Sequence, residues 1–357
     1  MLPVSGSRRA NVVGLGLIGG SIARALSERG WNVRGDDRDA GLVERAVSMG
    51  IVAGAGLDPD AEVTFVATPV LTLVDEVRRV LGATRGAVTD VGSVKGAVVE
   101  AISDPRFVGG HPMAGSELEG LDGADGSMFE GAVWVLTPSA STADTTFSAV
   151  AGVVAELGAD VVALPAARHD EVVAVVSHVP HLTAATLMGL ASERGEEHAA
   201  LLRLAAGGFR DMTRIASGHP RIWLDICDEN RTAILSALDD LIGGLSDMRR
   251  VVDTGDRDEL QRLLGRAREA RANLPVKGAK PAELAEVRVT IPDRPGGAAE
   301  VFTLAAELGV NIASFEVVHN AEGNRGVAVV LVDASTVELY RGGLLARGYR
   351  PAVQRLS

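Results

Sequence analysis

A chain of 357 residues exceeds what one hydrophobic core ordinarily serves, so two or three domains are expected. Hydrophobic residues make up 46% but aromatics only 3%, which leaves the cores to Val, Leu, Ile and Ala. The formal charge of −12, with no Lys/Arg-rich run, disfavours nucleic-acid binding and makes isolated Arg and His residues in apolar segments the places to look for an anion site.

From Arg9 to about Leu164 short Val-rich runs alternate with helical patterns. Strands are expected at Ala10–Val13, Asn32–Arg34, Val63–Ala67, Ala87–Asp90, Phe107–Gly109 and Ala132–Leu136, with amphipathic helices such as Ser21–Arg29 and Leu42–Met49 between them. This alternation indicates parallel βαβ units. The apolar run Val12–Ile18 is broken by Gly14 and Gly16 and precedes no small-residue cleavage site, so it is not a signal peptide. No stretch approaches the length of a membrane span, and a cytoplasmic location is expected.

Gly14-Leu-Gly16-Leu-Ile-Gly19 follows the first strand and opens the first helix, matching the dinucleotide-binding pattern G-x-G-x-x-G. Gly14 permits the tight turn, Gly16 lets the backbone approach a pyrophosphate, and Gly19 lets helix and strand pack closely. Leu17 and Ile18 begin a helix whose N-terminus offers N–H groups to phosphate. The next strand ends at Asp36-Asp37, where a carboxylate accepts from ribose hydroxyls and repels a 2′-phosphate. Asp37 is preferred, NAD is favoured over NADP, and Arg38 keeps the second cofactor open. Thr68-Pro69 and Val91-Gly-Ser93 follow two further strands, at the edge where ligands sit in a doubly wound sheet. His111, in the Gly- and Pro-rich stretch Gly109–Gly115, is read as a loop imidazole suited to taking a proton from a hydroxyl, although a loop histidine taken by itself is more often a surface or packed residue.

From Ala166 to Asn273 the pattern is helical, with Ile234, Leu238, Leu241, Ile242 and Leu245 at helical spacing. Arg168-His-Asp170 leads into an apolar helix carrying Ser177-His178-Val-Pro-His181. Two histidines three apart invite a metal reading, but Pro180 lies between them and no third ligand has a standard spacing, so no metal is expected. One of the pair is an anion contact and the other a core histidine; the spacing leaves open which. Gly208, Arg210 and Arg214 follow in Gly207–Arg214, where Arg210 and Arg214 at i,i+4 share a helix face for an anion or for a solvated charge pattern. The lone Cys227 excludes an internal disulfide and reads as a buried helix thiol. Leu274–Leu284, with Pro275, Gly278 and Pro281, has linker composition. Beyond it a strand with Val287, Val289 and Ile291, a turn Asp293-Arg-Pro-Gly-Gly, a helix, two strands, a helix and a last strand make a βαββαβ unit.

The joint set Gly14–Ser21, Ala67-Thr-Pro69, Asp90–Lys95, Gly110–Gly115, Ser177–His181, Gly207–Arg214 and Trp223-Leu-Asp resembles the prephenate/arogenate dehydrogenase family, in the family's order and over roughly the first 280 residues. The tail from Glu286 resembles an ACT domain, a module that typically binds amino acids. The resemblance implies an α/β chain with a Rossmann-type dinucleotide-binding domain (1–165), an all-α helical substrate and dimerisation domain (166–280) and a βαββαβ ACT-like regulatory domain (285–357). It implies oxidative decarboxylation of prephenate to 4-hydroxyphenylpyruvate, NAD taking the hydride, in tyrosine biosynthesis. His111 then takes the catalytic role with Ser93 beside it and the nicotinamide. Arg214 binds a substrate carboxylate with His181, Ser177, Arg210 and Gly208 nearby; Arg210 stands where some relatives carry Lys. Gly14, Gly16, Leu17, Ile18, Gly19, Asp37, Thr68, Pro69 and Ser93 hold the cofactor. A homodimer and an aromatic amino-acid effector at the ACT-like unit are also implied. Three alternatives stay open: an arogenate dehydrogenase, a β-hydroxy-acid dehydrogenase lacking its usual helix Lys here, and a non-catalytic sensor of dinucleotide and amino acid.

Overall fold

The computed structural model describes residues 7–116, 118–197, 207–218, 220–273, 284–292, 294, 296–319 and 325–355. Most of the linker segment, residues 274–283, and Asp293 and Pro295 of the expected turn lie outside them. The chain forms two compact units, Met1–Met188 with Ile215–Leu241, and Gly189–Arg214 with Ile242–Ser357.

The first unit is built on eight strands: β1 (Arg9–Val13), β2 (Asn32–Asp36), β3 (Gly54–Ala55), β4 (Val63–Val66), β5 (Ala87–Asp90), β6 (Phe107–Pro112), β7 (Val133–Thr137) and β8 (Asp160–Ala163). Their order is β3-β2-β1-β4-β5-β6-β7-β8. Pairing is parallel except between β6 and β7. Helices α1 (Leu17–Glu28), α2 (Ala40–Ser48), α3 (Leu73–Ala83), α4 (Gly96–Ala101) and α5 (Asp144–Glu156) connect them. Alternate side chains point to opposite faces of a strand. Accordingly Val12 and Phe65 join the core under α1, α2 and α5, while their neighbours Val13 and Val66 join the core under α3 and α4.

Two strands were not expected. β3 is two residues long, and β8 is an edge strand whose residues are largely exposed, so neither carries a period-2 signal. The strand with His111 also runs further than expected. Gly110, His111 and Pro112 pair antiparallel with Leu136, Val135 and Trp134, so His111 sits on a strand and not in a loop.

The helical segment comprises α6 (Ala166–Val173), a π turn (Ala174–His178), α7 (Val179–Glu197), α8 (Gly207–Thr213), α9 (Pro220–Glu229), α10 (Arg231–Thr254) and α11 (Arg257–Ala272). Asp256 caps α11 by accepting from the Glu259 amide. Ala174 and Val179, on the π turn and α7, pack with Val94, Ile226 and Ile234 in the first unit. Contrary to the sequence expectation, the continuous run Ala166–Glu193 is long and apolar enough to cross a membrane by length and composition alone. It carries four buried ionisable side chains, His169, Asp170, His178 and His181, and 33% of its most apolar stretch is buried within the protein.

The second unit ends in β9 (Leu284–Pro292), α12 (Ala299–Glu307), β10 (Ile312–His319), β11 (Arg325–Asp333), α13 (Val337–Ala346) and β12 (Ala352–Arg355), the expected βαββαβ succession. The sheet is antiparallel in the order β10-β11-β9-β12. Val287, Val289, Ala328 and Val330 form one face of it, packed with Val301, Leu304 and Tyr340 of the two helices. The buried Tyr340 hydroxyl donates to the Val301 carbonyl at 3.0 Å, which satisfies the polar end of that core.

Candidate active site

The glycine turn after β1 is shaped by close approach. Gly14 has φ 87°, and a Cβ there would meet the Ala67 carbonyl; a Cβ at Gly19 would meet the Gly14 carbonyl. A Cβ at Gly16 would meet no atom of the chain within 4 Å, so the space over that residue is open. Helix α1 starts at Leu17 and Ile18, four residues earlier than its periodicity indicates, because Gly16 serves as its N-cap. No acidic side chain lies in its first turn, so its N–H groups present an anion-binding end.

The two carboxylates at the end of β2 have different partners. Asp37 accepts from the Leu15 amide at 2.8 Å and from the Asp39 amide at 3.0 Å, binding itself to the glycine turn. Asp36 instead pairs with Arg79 of α3 at 2.6 Å. Thr68 and Pro69 follow β4, and the Thr68 hydroxyl is buried without a partner among the described residues. A buried hydroxyl lacking a partner is costly, so this one fits a group that would arrive with a bound ligand. Open space over Gly16, the N-terminus of α1 and the Asp37 carboxylate together fit a dinucleotide.

Beyond β5 the chain is held by a buried ion pair. Lys95 Nζ meets Asp90 Oδ2, and both side chains are fully buried. Asp90 also accepts from the amides of Gly92 (2.9 Å) and Gly110 (3.2 Å), which joins β5, β6 and the loop bearing the half-buried Ser93. Burial pushes the Lys95 ammonium down from its ordinary value, opposed by the attraction of Asp90.

His111 projects from β6 into a cluster the sequence did not reveal. Its Nδ1 lies 2.8 Å from Nε2 of His169, and His169 Nδ1 lies 2.8 Å from Oδ1 of Asp170. His169 is fully buried. Asp170 accepts in addition from the amides of Lys95 (2.9 Å) and Gly96 (2.7 Å), at the start of α4. Burial is the main cause that holds His111 well below the usual histidine range, and nearby His169, Lys95 and His178 act in the same direction. The imidazole is therefore neutral at pH 7 and available as a proton acceptor.

His178, on the π turn, is buried, and its Nδ1 lies 3.2 Å from Asn230 Nδ2, which donates to the Asp170 carbonyl at 2.9 Å. Burial pushes it down to about 4. His181 stacks on Trp223 with ring centroids 3.5 Å apart at 10°, and burial lowers it too. Both histidines are buried, at 1% exposure for His178 and 8% for His181. Ser177, which precedes both in sequence, is half-buried.

Gly208, Arg210 and Arg214 belong to the second unit. Gly208 and Arg210 lie on α8, but Arg214 begins a 3₁₀ turn (Arg214–Ser217), so the expected i,i+4 pair spans a change of helix type. Both guanidinium-bearing residues are exposed. The half-buried Cys227 has its thiol pushed up by burial, in keeping with an inert helix cysteine. A groove of about 380 Å³ between α6 and α10, lined by Arg168, Val172, Val175, Val176 and Ala237 among others, contains none of these residues. No group of three metal-ligating side chains occurs among the described residues.

Two family models match the chain. Residues 22–163 match the nucleotide-binding domain of prephenate dehydrogenase and residues 165–266 its dimerization domain. A prephenate dehydrogenase of Bacillus subtilis is 33% identical over 334 residues, covering 88% of this chain and 90% of the relative. The crystal structure of Synechocystis arogenate dehydrogenase is similar with a TM-score of 0.66 and 32% identity, covering 74% of this chain and 98% of that one. A prephenate dehydrogenase from A. aeolicus, in complex with hydroxyphenyl propionate and NAD+, is similar with a TM-score of 0.71 and 28% identity, covering 76% of this chain and all of that one.

Proposed function

The chain belongs to the prephenate dehydrogenase family, and from that premise we propose that it converts prephenate to 4-hydroxyphenylpyruvate with NAD as hydride acceptor. The observation that carries the proposal is His111, held neutral on β6 near Lys95 of the loop after β5 and bonded to His169. NAD, when bound, supplies the acceptor for the hydride. Gly14, Gly16, Leu17, Ile18 and Gly19 cradle its pyrophosphate, Asp37 takes the ribose hydroxyls, and Thr68, Pro69 and Ser93 face the nicotinamide half. A neutral His111 accepts a hydrogen bond from the ring hydroxyl and draws its proton as the hydride leaves the same carbon. Arg214 binds a carboxylate of the dianionic substrate, and Arg210, His181, Ser177 and Gly208 are the other residues that the family resemblance assigns to substrate. Loss of carbon dioxide yields an aromatic ring, so the residues have only to orient the substrate and relieve charge at the hydroxyl.

The proposed enzyme is a cytoplasmic homodimer. Exposed Val175, Val176, Leu235, Ile242 and Leu245 on the helical segment support self-association. The C-terminal βαββαβ unit is proposed as an ACT-like site for an aromatic amino acid. Cofactor reduction assayed with prephenate and with arogenate, each with NAD and NADP, tests the proposal. Turnover of prephenate with NAD is expected to dominate. A preference for arogenate would overturn the substrate assignment, and no turnover of either would favour a dinucleotide sensor.

A further inference from the structure

We infer that His169 and Asp170 are positioning residues that fix the tautomer and ring plane of His111, leaving its Nε2 as the acceptor that faces substrate. The inference deepens the proposed function and rests on the reading of His111 as the proton acceptor.

A carboxylate can only accept, so the proton shared between His169 and Asp170 sits on His169 Nδ1. With a single proton, on Nδ1, His169 carries a lone pair on Nε2. The 2.8 Å contact between that atom and His111 Nδ1 requires a proton, and His111 must supply it. With its single proton on Nδ1, neutral His111 keeps a bare Nε2. The direction of the chain is thus dictated from its buried end. That end does not move easily, because Asp170 is tied to the amides of Lys95 and Gly96 and its carbonyl to Asn230.

The same chain serves the protonated state. When Nε2 takes a proton, the imidazolium still donates from Nδ1 to His169, and Asp170 lies behind as the anion that supports the positive charge. The other groups facing His111 are Lys95 from the loop after β5 and His178 from the π turn. The Lys95 ammonium can only donate and is held by Asp90, and Nδ1 of His178 is engaged by Asn230 Nδ2.

The test is nitrogen NMR of the full-length enzyme labelled at histidine, with the His111 signals assigned by their loss in His111→Asn. At pH 7 Nδ1 of His111 should be protonated and Nε2 bare. In His169→Phe, which keeps an aromatic ring but has no acceptor, that pattern should be lost. Its kcat should fall about 10²-fold, with KM for substrate and NAD affinity within about threefold of wild type. His169→Gln, whose amide oxygen can still accept, should recover at least tenfold of the loss (about 10-fold). A His111 protonated on Nε2 in the wild type overturns the inference, as does His169→Phe with wild-type kcat and an unchanged spectrum. The wild-type spectrum decides alone if His169→Phe does not fold. An Nδ1-protonated His111 upholds the inference even in an enzyme that leaves prephenate unchanged, which separates its failure from that of the substrate assignment.

Discussion

The imidazole cluster and the arginine segment are built by opposite means. His111 stands on a strand paired on both sides, and its ring is bonded to a buried histidine that is bonded to a carboxylate tied to the start of α4. Arg210 and Arg214 lie exposed on a short helix and the 3₁₀ turn after it. The first arrangement is set by the fold before any ligand arrives. The second places its guanidinium-bearing residues at the surface, on a segment that changes helix type between them. Proton transfer needs a fixed geometry, whereas recognition of a dianion needs charge and reach.

The difference can be broken first at its rigid end. His111→Asn should lower kcat by about 10²–10⁴-fold while NAD affinity stays near wild type, read by steady-state turnover and cofactor titration. An active Asn variant would remove His111 from the chemistry. Next, Lys95→Met should leave Asp90 as an unpaired buried carboxylate and cost about 3–5 kcal/mol of stability, measured by urea denaturation of the first unit. At the exposed end, Arg214→Ala should raise KM by roughly 10–10²-fold, the worth of one charged hydrogen bond of about 1.5–3 kcal/mol, with a smaller change in kcat. A normal KM would place the substrate carboxylate elsewhere.

What the sequence made legible follows the same division. β1, β2, β4 and β5 announce themselves because alternate residues bury on two faces, and the glycine turn because its spacing meets a backbone constraint. The pair Gly109-Gly110 misled in one respect: it reads as loop composition, yet both glycines lie within β6 because a side chain there would collide with Thr137 or with the Asp90 carbonyl. His169 and Asp170 were visible only as a charged start to an apolar helix. Their partner His111 is 58 positions away, and a hydrogen bond between residues so distant leaves no periodic trace. The change to a 3₁₀ turn at Arg214 was equally hidden, since residues three and four apart in sequence fit either helix.

Acid supplies the finest separation of the two regions. An arginine stays charged throughout the accessible range, so the segment with Arg210 and Arg214 contributes no pH dependence of its own. The cluster does. His178 is buried neutral, with its value pushed down to about 4 from 6.5, and His111 and His181 are displaced in the same direction. A base whose folded value is depressed binds its proton more readily in the unfolded chain. Its stabilisation is therefore complete above pH 6.5 and declines as pH falls from there toward 4. The carboxylates with lowered values, Asp104 and Asp125 among them, act in the same direction but in a lower window, losing their contribution as pH falls through the ordinary carboxylate value of 3.8. Between pH 6.5 and 4.5 the histidines are thus isolated. Amide exchange across the π turn Ala174–His178 should accelerate over that interval by an amount equivalent to about 1–2 kcal/mol, discounted for residual solvent screening. Exchange in α13 of the second unit, whose core is closed by Tyr340, should not change with it. Equal acceleration in both helices would mean that acid loosens the whole chain and that the neutral histidines are not what makes the cluster rigid.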